Sequence, residues 1–362
     1  MQRLVMSDSL INDLLALPVP GVDGMVLGEI AEVKLAAQGY RIDIRLGVHF
    51  DSTKTALEAA ITEFLQARGT TCELHWQCEV LAAKSLQSQK MNAISGVKNI
   101  IAVASGKGGV GKSTTAANIA LALVHAGARV GVLDADIYGP SQPQMLGVGG
   151  QRPELAGGGR ILPVSALGLQ LISMGNMVTD STPMVWRGPM VSGALQQLLN
   201  NTNWDNLDYL VIDMPPGTGD IQLTLSQAVP VSGSVIVTTP QDIALLDAKK
   251  GIEMFRKVDI PVMGVVENMS THTCSNCGHT EAIFGDEGGA RLAAEYQVPV
   301  LGKLPLAMDI RALTDAGKPP VAADPDSAIS LEYRNIAHKV ALLLWQQAVQ
   351  GDAGPEIVFS ND

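Results

Sequence analysis

Two short segments of the 362-residue chain carry side chains whose types and spacing can do chemistry. The first reads Gly106-Lys107-Gly108-Gly109-Val110-Gly111-Lys112-Ser113-Thr114 and fits the pattern GxxxxGK[ST]. Glycines at this spacing let successive backbone N–H groups curl into an anion-binding nest, and a helix opening at the lysine adds the positive end of its dipole. Lys112 can then reach the β- and γ-phosphates of a nucleotide, and the Ser113 hydroxyl can ligate Mg²⁺. On this reading Lys112 faces a ligand and not the core. The second segment is Cys274-Ser275-Asn276-Cys277. Two thiolates at this spacing can face one metal ion or cluster, yet they make only half of a four-thiolate site. A two-fold dimer would supply the other half at a self-complementary interface. Alternatively, His272 and His279 beside the pair would complete a zinc site within one chain, or the pair is simply structural. A redox dithiol is disfavoured because the pair does not open a helix.

The elements around these segments must hold them in place. The apolar run IIAVAS leads into the glycine loop, and KSTTAANIALALVHAG leads out as a helix over residues 112–126. Further buried strands are expected at 130–133, 209–212, 234–237 and 262–266, and helices at 191–200, 221–228 and 243–257. Near-continuous Val, Ile and Leu in the strands, alternating with helices, predicts a doubly wound, mostly parallel α/β sheet. Two of its strands end in carboxylates: Asp134-Ala135-Asp136 after the second, and Asp213 after Tyr209-Leu210-Val211-Ile212. The latter is the Walker B pattern, whose Asp holds Mg²⁺ through water. Residues 1–82 read instead as a small α+β domain, with helices at 7–17 and 52–68 and strands at 26–35, 39–48 and 71–81. Cys72 and Cys78 share a strand face with Leu74 and Trp76 and are expected in the core. Residues 83–96 read as a polar linker, 97–350 as the nucleotide domain and 351–362 as an acidic tail.

Composition narrows the function. Lys plus Arg is 25 and Asp plus Glu is 36, a net charge of −11, and aromatics are only 4%. Phosphate neutralisation needs clustered cations and base stacking needs aromatic platforms, so nucleic acid is not an expected partner. The first residues show no secretory h-region, and no stretch has the ~20 apolar residues of a membrane span. A cytoplasmic protein is expected, where cysteine pairs serve more often as metal ligands than as staples.

The loop GKGGVGKS, with a second lysine after its first glycine, resembles that of the signature-lysine (deviant Walker A) ATPases. From about Val97 to Ala348 the chain resembles the Mrp/ApbC family of iron–sulfur cluster carrier ATPases. The resemblance is carried by GKGGVGKST, DADIYGPSQP, VWRGPM, DYLVIDMPPGTGD, ENMS followed by CSNC, and IFGDEGG, in that order. It implies a P-loop ATPase that binds ATP and Mg²⁺ and hydrolyses ATP slowly. Lys107 would reach the partner's nucleotide across a homodimer. Asp136 would orient water and Mg²⁺, with Asp134 either sharing that task or capping the next turn. Gly217 would sense the γ-phosphate, and Asn268 would contact adenine. A [4Fe–4S] cluster would bridge Cys274 and Cys277 of both subunits, loaded by a cluster-assembly scaffold and passed to apo-proteins. The N-terminal part resembles the small domain preceding bacterial members. Some relatives carry a cysteine after its second strand, but here GVHFDSTKTAL has none, so a docking surface is expected. The rival reading is a positioning or partitioning ATPase with a structural zinc on the CxxC. Its membrane version is weakened by a last helix, 331–349, whose only cations are Arg334 and Lys339. A nitrogenase-type reductase is disfavoured because its cluster cysteines lie far apart in sequence.

Overall fold

A computed structural model of the chain describes residues 8–36, 39–83, 85, 89, 91–136, 139–174 and 188–352. Two compact units divide it: Met1–Ala83 together with Ala341–Asp362, and Lys84–Val340.

In the first unit, α1 (Asp8–Leu15) precedes β1 (Ala31–Ala36), β2 (Gly39–Leu46), α2 (Asp51–Gln66) and β3 (Glu73–Cys78). The strands form one sheet in the order β1-β2-β3, β1 antiparallel and β3 parallel to the central β2. A parallel pair needs a crossover, and α2 supplies it. Leu57, Ile61 and Leu65, spaced four apart on α2, are buried, as are Ile42, Ile44 and Leu46 at alternate positions of β2. The first strand is shorter than the sequence pattern predicts. Residues Leu27–Glu29 form a 3-10 turn instead, because the Glu29 carboxylate accepts the Val26 N–H at 2.7 Å. Cys72 and Cys78 depart from the core reading. Strand β3 is an edge strand, so Cys72 is half-buried and Cys78 is exposed, its Sγ 3.2 Å from the Val48 carbonyl and 3.4 Å from His49 Nδ1.

Residues 341–352 cluster with this unit and not with the nucleotide domain, unlike the division read from sequence. Trp345 accounts for it. Its side chain is buried at 2% exposure, and a Cβ on Gly47 would come within 2.1 Å of the indole, so only glycine leaves room. The linker also differs from expectation. Ser85 is buried and donates to the Val231 carbonyl at 2.7 Å, and Ile94 belongs to the second unit's core. The acidic tail lies outside the described residues from 353 on.

The second unit is built on an eight-stranded sheet. In chain order come β4 (Val97–Ala104), α3 (Lys112–His125), β5 (Val130–Asp134), α4 (Gln142–Met145), β6 (Glu154–Leu155), β7 (Ile161–Leu162), β8 (Val164–Ala166) and β9 (Leu169–Ser173). Then follow α5 (Gly188–Asn201), β10 (Leu207–Asp213), α6 (Asp220–Ala228), β11 (Gly233–Thr238), α7 (Asp242–Lys257) and β12 (Val262–Glu267). The short strands β13 (His272–Thr273) and β14 (Thr280–Glu281) precede α8 (Gly288–Tyr296), β15 (Val300–Lys303), α9 (Met308–Asp315), α10 (Pro320–Ala323) and α11 (Ala328–Asp352). The sheet order is β15-β12-β11-β4-β10-β5-β9-β8, parallel throughout except for the edge pair β8–β9. Both faces are covered, which is why β5, β10 and β11 are buried at every position. Successive crossovers run to one side of β4 and then to the other, so the crevice at the carboxyl ends of β4 and β10 is a topological switch point, where such sheets bind ligands. Of the quoted motifs, Ile137 and Tyr138 and residues 185–187 lie outside the described residues. No helix among the described residues is long and apolar enough to cross a membrane.

Candidate functional site

The glycine loop joins the end of β4 to α3 at that switch point. Gly111 takes φ +82°, and a Cβ there would fall 2.1 Å from Asn268 Nδ2, so left-handed backbone and close approach both demand glycine. Behind the loop, the backbone of Asp247 on α7 approaches Gly106 as closely. Gly108 and Gly109 are exposed, Val110 is buried, and Ser113 and Thr114 are half-buried in the first turn of α3. Lys107 is half-buried, and its ammonium makes no ion pair among the described residues.

Lys112 does not stand open to a ligand. It is 6% exposed, and its Nζ lies on Asp213 Oδ1 and 3.1 Å from Ser113 Oγ. Asp213, at the end of β10, is fully buried. Its other oxygen accepts from Gln142 Nε2 at 2.9 Å, and the same Nε2 donates to the Ser113 carbonyl at 2.9 Å. Asp134, at the end of β5, is buried too. It accepts from Asp136 N, Ser141 N, Gln142 N and Ser173 Oγ at 2.9–3.2 Å, so it caps the turn into α4. Burial first, and then the charge of Asp213, push the Asp134 carboxyl up to about 7. Asp136 is half-buried, its Oδ1 accepting Gly139 N at 3.3 Å. Gly217 has φ +98° and donates its N–H to the Ser105 carbonyl at 3.1 Å. The site thus joins Lys112, Ser113 and Asp213 directly and Asp134 to them through Gln142, with Asp136 and Gly217 at its edge.

Asn268 follows β12 and is 8% exposed. Its Nδ2 donates to the Val110 carbonyl at 2.8 Å, tying this strand end to the glycine loop. Beside Gly111 lies a cavity of about 180 Å³ bordered by Thr114, Asn268, Met269, Leu306, Arg311 and Thr314. Thr314 Oγ1 is buried there without a hydrogen-bond partner. Neither Thr314 nor Gln142 emerges from sequence reasoning. The first lies about 200 residues from the loop it faces, and the second stands in DADIYGPSQP, where the motif assigns it no role.

The CxxC sits at the tip of the β13–β14 hairpin, where Cys274 N donates to the His279 carbonyl at 2.8 Å and Gly278 N to the Cys274 carbonyl at 2.9 Å. Cys277 is exposed and Cys274 half-buried. The backbone N–H of Cys277, and then that of Asn276, hold the Cys274 thiol below its ordinary range, which favours the thiolate a metal requires. His272 Nδ1 lies 3.2 Å from the Leu306 carbonyl, so that ring is engaged away from the thiols. Among the described residues no three His, Cys, Asp or Glu side chains are grouped to hold a metal ion. The hairpin stalk is pinned by Ser270 N to the Leu304 carbonyl and by Leu306 N to the Thr271 carbonyl. At its far end the buried Glu267 accepts the Gly289 N–H at the start of α8.

Residues 96–341 match the family described as ParA: NUBPL iron-transfer P-loop NTPase. An iron–sulfur cluster carrier protein of Pseudomonas fragi is 64% identical over 259 residues, 71% of this chain and 90% of that protein. One from Haemophilus influenzae is 52% identical over 329 residues, 90% of this chain and 89% of its own. A nucleotide-binding protein of Archaeoglobus fulgidus, solved in complex with ADP, superposes with a TM-score of 0.55 at 36% identity, covering 61% of this chain and 87% of that one.

Proposed function

The chain belongs to the NUBPL iron-transfer P-loop NTPase family, and on that premise we propose that it is an ATP-binding carrier that holds an iron–sulfur cluster as cargo and hands it to apo-proteins. One observation carries this reading: the nucleotide loop and the cysteine hairpin share walls. Asn268 and Met269 border the cavity beside Gly111 and lead into the hairpin, and Leu306 borders the same cavity while holding the stalk.

ATP would seat its phosphates in the nest of residues 106–114 and its base in the cavity, where Asn268 and the unpartnered Thr314 hydroxyl offer polar contacts. The Ser113 hydroxyl and the Asp213 carboxylate are hard oxygen donors of the kind Mg²⁺ prefers, and the buried Oε1 of Gln142 nearby lacks a partner, so the residues fit the ion. Bound there, Mg²⁺ would neutralise charge developing on the β- and γ-phosphates. Lys112 would leave Asp213 for the phosphates. Asp136 would orient the attacking water during slow hydrolysis, and the Gly217 N–H would leave Ser105 to report the γ-phosphate.

In a homodimer Lys107 would reach the partner's nucleotide. Ile243 and Leu246 on α7, 70% and 57% exposed, offer an apolar contact one turn from the backbone that supports Gly106. Cys274 and Cys277 of two copies would supply the four thiolates of a [4Fe–4S] cargo. Exposure of Cys277 suits exchange with an incoming thiol of an apo-protein, after loading from an assembly scaffold in the cytoplasm. Anaerobic reconstitution with iron and sulfide tests the reading. Iron bound per dimer is expected in the wild type and lost in Cys274→Ala and in Cys277→Ala, with nucleotide binding kept. A wild-type protein that takes up no cluster, or a variant that retains it, contradicts the assignment.

A further inference from the structure

Gln142 opens the four-residue helix α4 and is fully buried at the carboxyl edge of the sheet. A buried carboxamide has two donors and one acceptor oxygen to satisfy. Both Nε2 hydrogens are used, one on Asp213 Oδ2 and one on the Ser113 carbonyl, each at 2.9 Å. Its own backbone N–H is held by Asp134 at 3.0 Å, so the residue touches all three segments that surround the phosphate end of the site. Its Oε1 is buried with no hydrogen-bond partner. An unpaired buried acceptor is a standing cost that an apolar side chain of the same volume would avoid.

The division of labour on Asp213 gives that cost a purpose. Lys112 holds Oδ1 and Gln142 holds Oδ2. When Lys112 turns to the phosphates, Oδ1 is freed while Gln142 keeps the plane of the carboxylate fixed against Ser113. A neutral amide does so without adding a third negative charge beside Asp134 and Asp213. The vacant acceptor then points to a donor that arrives with the ligand, and a metal-bound water is a strong one. We propose that Gln142 is a positioning residue of the magnesium site, orienting Asp213 through Nε2 and accepting a hydrogen bond from an Mg²⁺-bound water through Oε1. The proposal rests on the nucleotide reading of the same site.

The test is binding of N-methylanthraniloyl-ADP to the full chain, followed by fluorescence in EDTA and across an Mg²⁺ titration. In Gln142→Met, which keeps the volume and removes both polar groups, the Mg²⁺ midpoint is expected to rise about tenfold, the scale of outer-shell losses, with affinity in EDTA unchanged within about twofold. Gln142→Asn keeps an amide but withdraws it by one methylene. It is expected to show the same split and serves if the Met variant does not fold. An unchanged Mg²⁺ midpoint overturns the proposal. Equal weakening with and without Mg²⁺ also overturns it, since a residue that merely shapes the loop would act that way. Failure of the wild type to bind the labelled ADP in either condition strikes the nucleotide reading itself and the proposal with it.

Discussion

Lys112 neutralises Asp213 in a place where water cannot, and that makes a residue read as a phosphate ligand also a structural one. Lys112→Ala is therefore expected both to abolish ATP hydrolysis and to lower the stability of the nucleotide-free protein by about 3 kcal/mol, the cost of leaving a buried charge unpaired. Phosphate release and urea unfolding measure the two effects. Asp134 makes a second expectation, about pH. Its carboxyl sits near 7 when folded against 3.8 as its ordinary value, so between about pH 4 and 7 the folded chain keeps a proton that the unfolded chain gives up. Stability contributed by this group is full below that window, falls as pH rises through it and is flat above. Urea midpoints in EDTA across this range are expected to show the decline, and Asp134→Asn to flatten it. The loop lysines and glycines were legible in the sequence because their spacing is the chemistry. Turn-capping by Asp134 was one of two readings the sequence left open, and the role of Gln142 was not legible, since burial and hydrogen-bond direction depend on what the fold packs around them.

At the scale of elements, the hairpin that presents Cys274 and Cys277 is held at its base by the last residue of β12 and the one after it. Glu267 takes the start of α8, and Asn268 takes the glycine loop. Filling the nucleotide site is expected to slow hydrogen exchange in residues 270–281, and Asn268→Ala to remove that response while weakening ADP binding severalfold, about 1 kcal/mol for one lost buried hydrogen bond. Exchange mass spectrometry with and without ADP reads it. An unchanged response in the variant would mean that the hairpin senses nucleotide by another route. The central strands were readable because a sheet covered on both faces writes itself as unbroken Val, Ile and Leu. The hairpin strands β13 and β14 were not, because each is two residues long and polar. The 3-10 turn at Leu27–Glu29 was missed because a side chain competing for a backbone N–H leaves no trace in hydrophobic period.

Across the whole molecule, the first compact unit takes its last piece from the far end of the chain. Trp345 fills the space above Gly47. Gly47→Ala is expected to destabilise this unit by about 2 kcal/mol through overpacking. Ending the chain at Val340 is expected to cost it more, with exchange protection lost in β1–β3 and kept in β4 and β10. Protection surviving in β1–β3 of the shortened chain would refute the role given to Trp345. The sequence led to the wrong boundary here because α11 is one uninterrupted helix, and periodicity does not record which unit each half of a helix serves. This arrangement has a consequence for synthesis. A ribosome makes residues 8–83 before the nucleotide-binding unit, and such segments ordinarily fold as they emerge. Here the indole that completes them is translated after the entire nucleotide-binding sheet, so the unit begun before that sheet is completed only after it.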